Sequence, residues 1–342
     1  MNVLDVAHLE VTHPGHDHDS SLTTVRDVSF RVAAGESLGV VGESGSGKSQ
    51  TMLAVLGMLG RGGARVSGRV VFDGTDLTAL TQKQLRAVRG SGIGLVSQDA
   101  LSALNPAMTI GRQMAEPLVR YDGHSRRSAA DRCTELLRLV GIPAARDRLR
   151  AYPHQLSGGM RQRVLIAMAI SREPKLLIAD EPTTALDVSI QSQVLRLIDR
   201  LRRELDMALV LITHDLGVVA GVTDRIAVMY GGMVVETAST AALFDAPGHP
   251  YTRALMESVP RMDRKPGDRL PAIPGLPPHP ASPPPGCAFQ PRCTLARPEC
   301  GDGVPPLAEW AQAAAPAPAR AGHLVRCPVT APVPVTAGGA GT

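Results

Sequence analysis

Long apolar runs are what this chain most plainly lacks. Crossing a bilayer takes roughly 18–20 apolar residues, whereas the longest candidates, Val164–Ile170 and Ala208–Ile212, are core-sized. Any membrane role must therefore come through partners. The opening stretch, Met1–His13, has neither a basic start nor an apolar segment, so it does not read as a signal peptide. The expectation is a chain made and kept in the cytosol, where its five cysteines are thiols or metal ligands rather than disulfides. Blocks of Lys or Arg are missing too. The net charge is only +4, lysine occurs four times, and the arginines are spread along helix-like stretches near acids. This pattern reads as solvated helix faces and argues against dedicated nucleic-acid binding. Apolar content is not scarce: 44% of the 342 residues are hydrophobic, which excludes disorder throughout and permits a large core.

Prolines divide the chain. Of 28, 21 lie at or after Pro247, which predicts a last quarter with neither regular helix nor central strand. Residues 1–245 carry periodic signals and read as one domain, with a helix-dominated stretch over about 99–170. Residues 246–330 read as a loop-rich extension and 331–342 as a flexible tail. Val3–Val11, Thr24–Val32 and Arg69–Phe72 look like short strands, the last ending at an Asp73-Gly74 turn. Ser128–Val140 has apolar residues at helical spacing and stops at Gly141. Leu176–Ala179 and Ala208–Ile212 are continuous apolar strands bracketing a helix over about 190–205. Buried strands alternating with helices predict an α/β fold, its parallel sheet covered on both faces, with a helical insert. No internal repeat of solenoid period is present.

The apolar strand Ser37–Val41 runs into Gly42-Glu43-Ser44-Gly45-Ser46-Gly47-Lys48-Ser49, which fits G-x-x-x-x-G-K-[ST] in its required place between strand and helix. Glycines let backbone N–H groups turn inward around phosphate oxygens, and a helix N-terminus adds its positive end. Lys48 can then reach the β- and γ-phosphates while the Ser49 hydroxyl ligates Mg²⁺. With lysine so scarce, a chance match is a remote event. The strand Leu176–Ala179 ends in Asp180 and Glu181, placing one carboxylate beside Mg²⁺ and the next where it could accept a proton from an attacking water. Ser157-Gly158-Gly159 precedes a helical run, Met160–Ile170, and makes a second helix N-terminus with a hydroxyl cap, suited to an anion.

Leu156-Ser157-Gly158-Gly159-Met160-Arg161-Gln162-Arg163, standing between the other two motifs, resembles the signature of ATP-binding cassette (ABC) proteins. The resemblance implies a phosphate-loop ATPase core with a mixed sheet, an N-terminal antiparallel β subdomain and a helical signature subdomain. It also implies that two cassettes pack head to tail, each signature closing on the ATP of its mate. Gln98 matches the glutamine loop that senses Mg²⁺ and the attacking water, and touches the membrane subunit. Ala185-Leu186-Asp187 matches the loop crossing the dimer interface, and His214 the switch histidine that contacts the γ-phosphate. Gln50 closes the phosphate-loop motif. One departure stands out: where the family usually places an aromatic on adenine, this chain has His13, with Val25 expected on the base's other side. Imidazole can stack but covers less area, so a weaker or pH-sensitive base contact is expected. The run His13-Pro14-Gly15-His16-Asp17-His18-Asp19 could suggest a metal site, but no second cluster completes it and it reads as a solvated loop.

Cys133 lies in a helical pattern and reads as packed core, whereas Cys287, Cys293, Cys300 and Cys327 fall in the proline-rich segment. A segment too short for its own core needs a cross-link, and in the cytosol a metal centre is the natural one. The spacing fits neither paired zinc knuckles nor common ferredoxin runs, so it does not identify the metal. The block Gly286–Cys293, with His323–Cys327, Gly248–Thr252 and Ile273–Gly275, resembles the C-terminal extension of oligopeptide/dipeptide ABC importer ATPases. Ser97-Gln98 followed by Leu104-Asn105-Pro106 agrees. That group associates the four cysteines with a [4Fe–4S] cluster. The resemblance implies a second, heterodimeric ATPase, two permeases and an extracytoplasmic peptide-binding protein, with this chain peripheral on the cytoplasmic face of the inner membrane. Two other readings stay open: an importer for another small solute such as nickel or a conjugated peptide, and a soluble, permease-free ABC ATPase. The last would need tandem cassettes or large inserts.

Overall fold

The computed structural model describes residues 1–15, 21–59, 63–184, 186–259, 272–310 and 322–329. The His16–Asp19 run and Ala185 lie outside them. Strands β1 (Asn2–Pro14) and β2 (Ser21–Ala33) pair antiparallel, with Leu4 opposite Val32, Leu9 opposite Val28 and Val11 opposite Val25. Both are longer than their apolar alternation suggests, because the alternation changes phase within each. In β1 the inward residues are Leu4 and Val6, then Leu9 and Val11; in β2 they are Val25, then Val28 and Val32. The phase changes at His8 and Asp27, which adopt φ of 51° and 48° and hydrogen-bond each other at 2.7 Å. Paired bulges thus keep both apolar sets on one face.

Strand β3 (Ser37–Val41) leads into α1 (Lys48–Val55); β4 (Arg65–Phe72) returns to pair with β1 and turns through Asp73-Gly74 into β5 (Thr75–Asp76). Helix α2 (Gln82–Ser91), opened by a Thr81–Gln84 capping box, precedes β6 (Ile93–Val96). A helical block follows: α3 (Ala100–Ala103), α4 (Ile110–Tyr121), α5 (Arg126–Leu139), α6 (Ala145–Arg148) and α7 (Gly158–Ala169). Cys133 is fully buried within α5. Next come β7 (Leu176–Asp180), α8 (Val188–Glu204), β8 (Ala208–Thr213), α9 (Leu216–Ala220), β9 (Arg225–Tyr230) and β10 (Met233–Ser239).

The central sheet has the order β6-β7-β8-β3-β9 in parallel, extended by antiparallel β10. Its strands are apolar on both faces because each face has its own core. Leu38, Val40, Ile178, Val210 and Ile212 pack toward the N-terminal antiparallel sheet; Val41, Leu177, Ala179, Leu209 and Leu211 pack toward the helices. Each Leu, Ile or Val side chain so withdrawn from water contributes about 1.5–3 kcal/mol.

The last quarter departs from its proline-based expectation. Helix α10 (Thr240–Asp245) is followed by α11 (Pro250–Ser258), a regular helix beyond Pro247. It forms because Pro250 occupies its first turn, where a missing N–H costs nothing, and 251–259 contain no proline. Strands β11 (Ala308–Glu309) and β12 (Leu324–Val325) then extend the central sheet at its edge, β12 pairing with β10. The segment is pinned by Glu236 of β10, fully buried, which accepts the N–H groups of Gly248 (2.6 Å) and His249 (2.8 Å) and contacts His323 Nε2 at 2.7 Å.

Candidate functional site

At the C-terminal end of β3 the chain turns sharply beneath β9. A Cβ on Gly42 would stand 2.2 Å from the Met229 carbonyl oxygen, and one on Gly47, the N-cap of α1 at φ 98°, 2.7 Å from that of Thr24. Only glycine lets the loop fold this closely and direct its amides inward. Lys48 opens α1, and its Nζ donates to the carbonyls of Gly42 (2.7 Å) and Glu43 (2.9 Å) and reaches Ser46 Oγ at 3.4 Å. Burial lowers its pKa; Glu181, Asp180 and Glu43 oppose that shift. Ser44 and Gly45 form the exposed crest of the same loop.

The neighbouring strands deliver the rest. Parallel strands end on one side of a sheet, so whatever follows β6, β7 and β8 converges beside the phosphate loop. Ser49 Oγ donates to Asp180 Oδ1 at 3.1 Å. Burial raises the pKa of Asp180, a shift that the Ser49 bond opposes. Glu181 is the hub: Gln98 Nε2 donates to its carboxylate at 3.0 Å, Thr184 Oγ1 at 2.8 Å, and His214 Nδ1 lies 3.3 Å away. Its backbone takes φ 45°, and its N–H bonds the Ile212 carbonyl of β8 at 2.9 Å. A left-handed glutamate costs energy that the surrounding bonds must repay, a feature that concentrates at functional sites.

Two expected elements, the Ser157 tip and Asp187, lie elsewhere on the surface. Ser157 caps α7, its Oγ accepting the Met160 N–H at 3.3 Å, with Gly158 exposed and Gly159 half-buried. Among the described residues no hydrogen bond joins this helix tip to the phosphate loop of the same chain. A Cβ on Gly159 would meet Ile190 of α8 at 3.0 Å, so the tip rests against the helix that Asp187 begins; Asp187 itself is exposed. His13 lies at the far end of β1 and hydrogen-bonds Gln50 of α1 at 3.1 Å, which places it beside the loop. The expectation for Val25 needs correction. It is fully buried against the core, cross-strand from Val11, and offers no surface to a base.

Sequence reasoning missed two features. Thr184 binds the Glu181 carboxylate, a contact that its place three residues downstream could have signalled. Glu43 is gripped by Tyr251 and Arg292, more than 200 residues away, with no local signal at all.

Residues 25–184 match the ABC transporter family, and 235–300 match the C-terminal region of oligopeptide/dipeptide transporters. The oligopeptide transport ATP-binding protein OppD of Salmonella typhimurium is 46% identical over 89% of this chain and 90% of its own length. The dipeptide transport ATP-binding protein DppD of Bacillus subtilis is 48% identical over 85% and 86%. This chain belongs to the ABC transporter ATP-binding proteins. Among solved structures, a dimeric bacterial ABC transporter cassette superposes with a TM-score of 0.62 at 27% identity, covering 69% of this chain and 98% of that one. The ABC ATPase core is thus an α/β cassette with a mixed sheet, carrying an oligopeptide/dipeptide-type C-terminal region.

No described helix of this ABC ATPase is long and apolar enough to cross a membrane. Its four C-terminal cysteines are free thiols. Burial raises Cys327 to about 11, and Cys287, Cys293 and Cys300 push it in the same direction, so the four lie within electrostatic reach of one another. Among the described residues, no group of three or more His, Cys, Asp or Glu side chains is arranged to hold a metal ion.

Proposed function

We propose that this ABC ATPase powers uptake of di- or oligopeptides, working as one half of a heterodimeric ATPase pair. The pair would sit on the cytoplasmic face of the inner membrane beneath two permeases, fed by an extracytoplasmic peptide-binding protein. The observation that carries the reading is the convergence of Ser49, Asp180, Glu181, Gln98 and His214 around Lys48, in a chain whose later part matches peptide transporters.

In this reading the loop amides from Gly42 to Ser49 and Lys48 cradle the phosphates of ATP. Mg²⁺, a generic requirement of such sites, would be held by Ser49 and Asp180 with Gln98 nearby. His13 and Gln50 would flank the base. Glu181 holds the attacking water and takes its proton; Lys48 and His214 face the charge that develops on the γ-phosphate. Ser157, Gly158 and Gly159 would complete the partner's site, with Asp187 at the interface. The exposed helix tip supports this, since Ser157 and Gly158 face outward and no described hydrogen bond ties them to the phosphate loop of their own chain. Closure of the pair would reach the permeases through the Gln98 region.

Cys287, Cys293, Cys300 and Cys327 are proposed as ligands of a [4Fe–4S] cluster. Four free thiols within electrostatic reach of one another supply the ligand type of iron–sulfur chemistry, and a cluster there would cross-link the extension. No hydrolytic step passes through it. Anaerobically purified protein is expected to absorb broadly near 400 nm; stoichiometric zinc or metal-free thiols would remove the cluster from the proposal. Reconstitution with the two proposed permeases tests the main reading. ATP hydrolysis should be stimulated by peptide-loaded binding protein, and stimulation only by a non-peptide solute would reassign the cargo.

A further inference from the structure

A carboxylate in a phosphate loop is electrostatically awkward, since its charge repels a triphosphate and competes for the loop lysine. Glu43 is such a residue, and all its polar groups are occupied. Its carbonyl accepts from Lys48 Nζ at 2.9 Å and from the Ser46 N–H at 3.2 Å. Its N–H donates to Tyr251 Oη of α11 at 2.8 Å, and its carboxylate receives both Nη groups of Arg292 at 2.7 and 3.1 Å.

Arg292 is built into that position. It is buried, and its remaining donors meet Tyr230 Oη (3.1 Å) and the carbonyls of Pro274 (2.8 Å) and Ile273 (3.3 Å). Every N–H of the guanidinium therefore has an acceptor, which leaves the group one orientation. The opposing carboxylate is a quarter exposed. Without the arginine it would be free to turn toward Lys48, whose protonated form it already favours.

We propose that Arg292 is a positioning residue of the ATP site: it neutralises Glu43 and holds that carboxylate off Lys48 and off the incoming triphosphate. The extension is thereby a working part of the phosphate loop as well as an appended segment. Because Arg292 adjoins Cys293, the link also runs from the four-thiol region to the nucleotide. The inference rests on ATP binding, the shared property of the family, and on neither the cargo nor the cluster.

The test measures MgATP affinity of the full-length chain by calorimetry, together with KM and kcat of the pair assembled with its partner ATPase, for Arg292→Met and for the double variant Glu43→Gln/Arg292→Met. Arg292→Met should weaken MgATP about tenfold in Kd and KM while changing kcat at saturation less than about twofold. The double variant has no carboxylate left to restrain and should regain affinity to within about threefold of the unaltered chain. Both variants lose the same arginine packing, so their difference reports charge alone, and melting temperatures check that both fold. Unchanged affinity in Arg292→Met would falsify the proposal. So would a double variant as weak as the single, which would leave Arg292 a packing role only. Failure of the unaltered chain to bind MgATP would instead overturn the nucleotide-binding reading itself.

Discussion

Glu181 holds a backbone conformation that L-residues avoid, and three side chains from three different loops converge on its carboxylate. A residue whose only task was to end a strand would need neither. The strain, of order 1–3 kcal/mol, directs the carboxylate away from the strand axis, one residue beyond Asp180. If it takes the proton of the attacking water, removing its basicity while keeping its shape should separate binding from turnover. Glu181→Gln is expected to retain MgATP affinity within about twofold and to lower kcat by about 10²–10⁴-fold. Single-turnover hydrolysis alongside nucleotide titration measures both; turnover like that of the unaltered chain would move the base elsewhere.

Among elements, β10 does more than close the sheet. Glu236 offers its carboxylate to the start of α11 and to the residue preceding β12, so one buried group ties the extension to the cassette. Replacing it with alanine leaves two N–H groups and His323 buried without an acceptor. Glu236→Ala should therefore destabilise the protein by about 3–5 kcal/mol, read by chemical denaturation, and α11 should become the first protease-sensitive element. The N-cap of α11 adds a pH dependence. Burial pushes His249 down to about 4, so the folded protein keeps it neutral while the unfolded chain takes up a proton near the ordinary value of 6.5. Stability from this residue is complete above about pH 7 and is lost as pH falls toward 4, by about 3 kcal/mol at most. His249→Asn keeps an acceptor for the Tyr251 N–H, now bonded at 3.1 Å, and should flatten that part of the stability-versus-pH curve. An unchanged slope would place the titration elsewhere.

At the scale of the whole molecule, phosphate loop and signature tip belong to different parts of the fold, the one between β3 and α1, the other at the start of α7. Their separation is what a head-to-tail pair needs. Ser157→Arg should leave MgATP binding by the isolated chain intact, because the substituted group does not touch its own loop. The same change should abolish ATP-driven association with the partner ATPase, and with it turnover. Light scattering with Glu181→Gln as the background reads the association. Retained association would mean that the tip is not at the interface.

Local order in the sequence settled the phosphate loop, the strand ending in Asp180 and Glu181, and the capped tip at Ser157, because each is a contiguous run whose residue types dictate backbone and chemistry together. It also settled the parallel strands, whose apolar runs admit only burial on both faces. The bulges at His8 and Asp27 were not legible there, since a phase change in alternation looks like the end of a strand. Val25 was misplaced for a related reason: motif position says which residue is near a base, but only register says which way it points. Proline counting hid α11, because proline breaks helices from within and is harmless at their first turn. Above all, the grip of Arg292 on Glu43 and of Glu236 on His323 arose only when distant segments packed, for a buried charge chooses its partner by desolvation and geometry in three dimensions, and nothing along the chain records that choice.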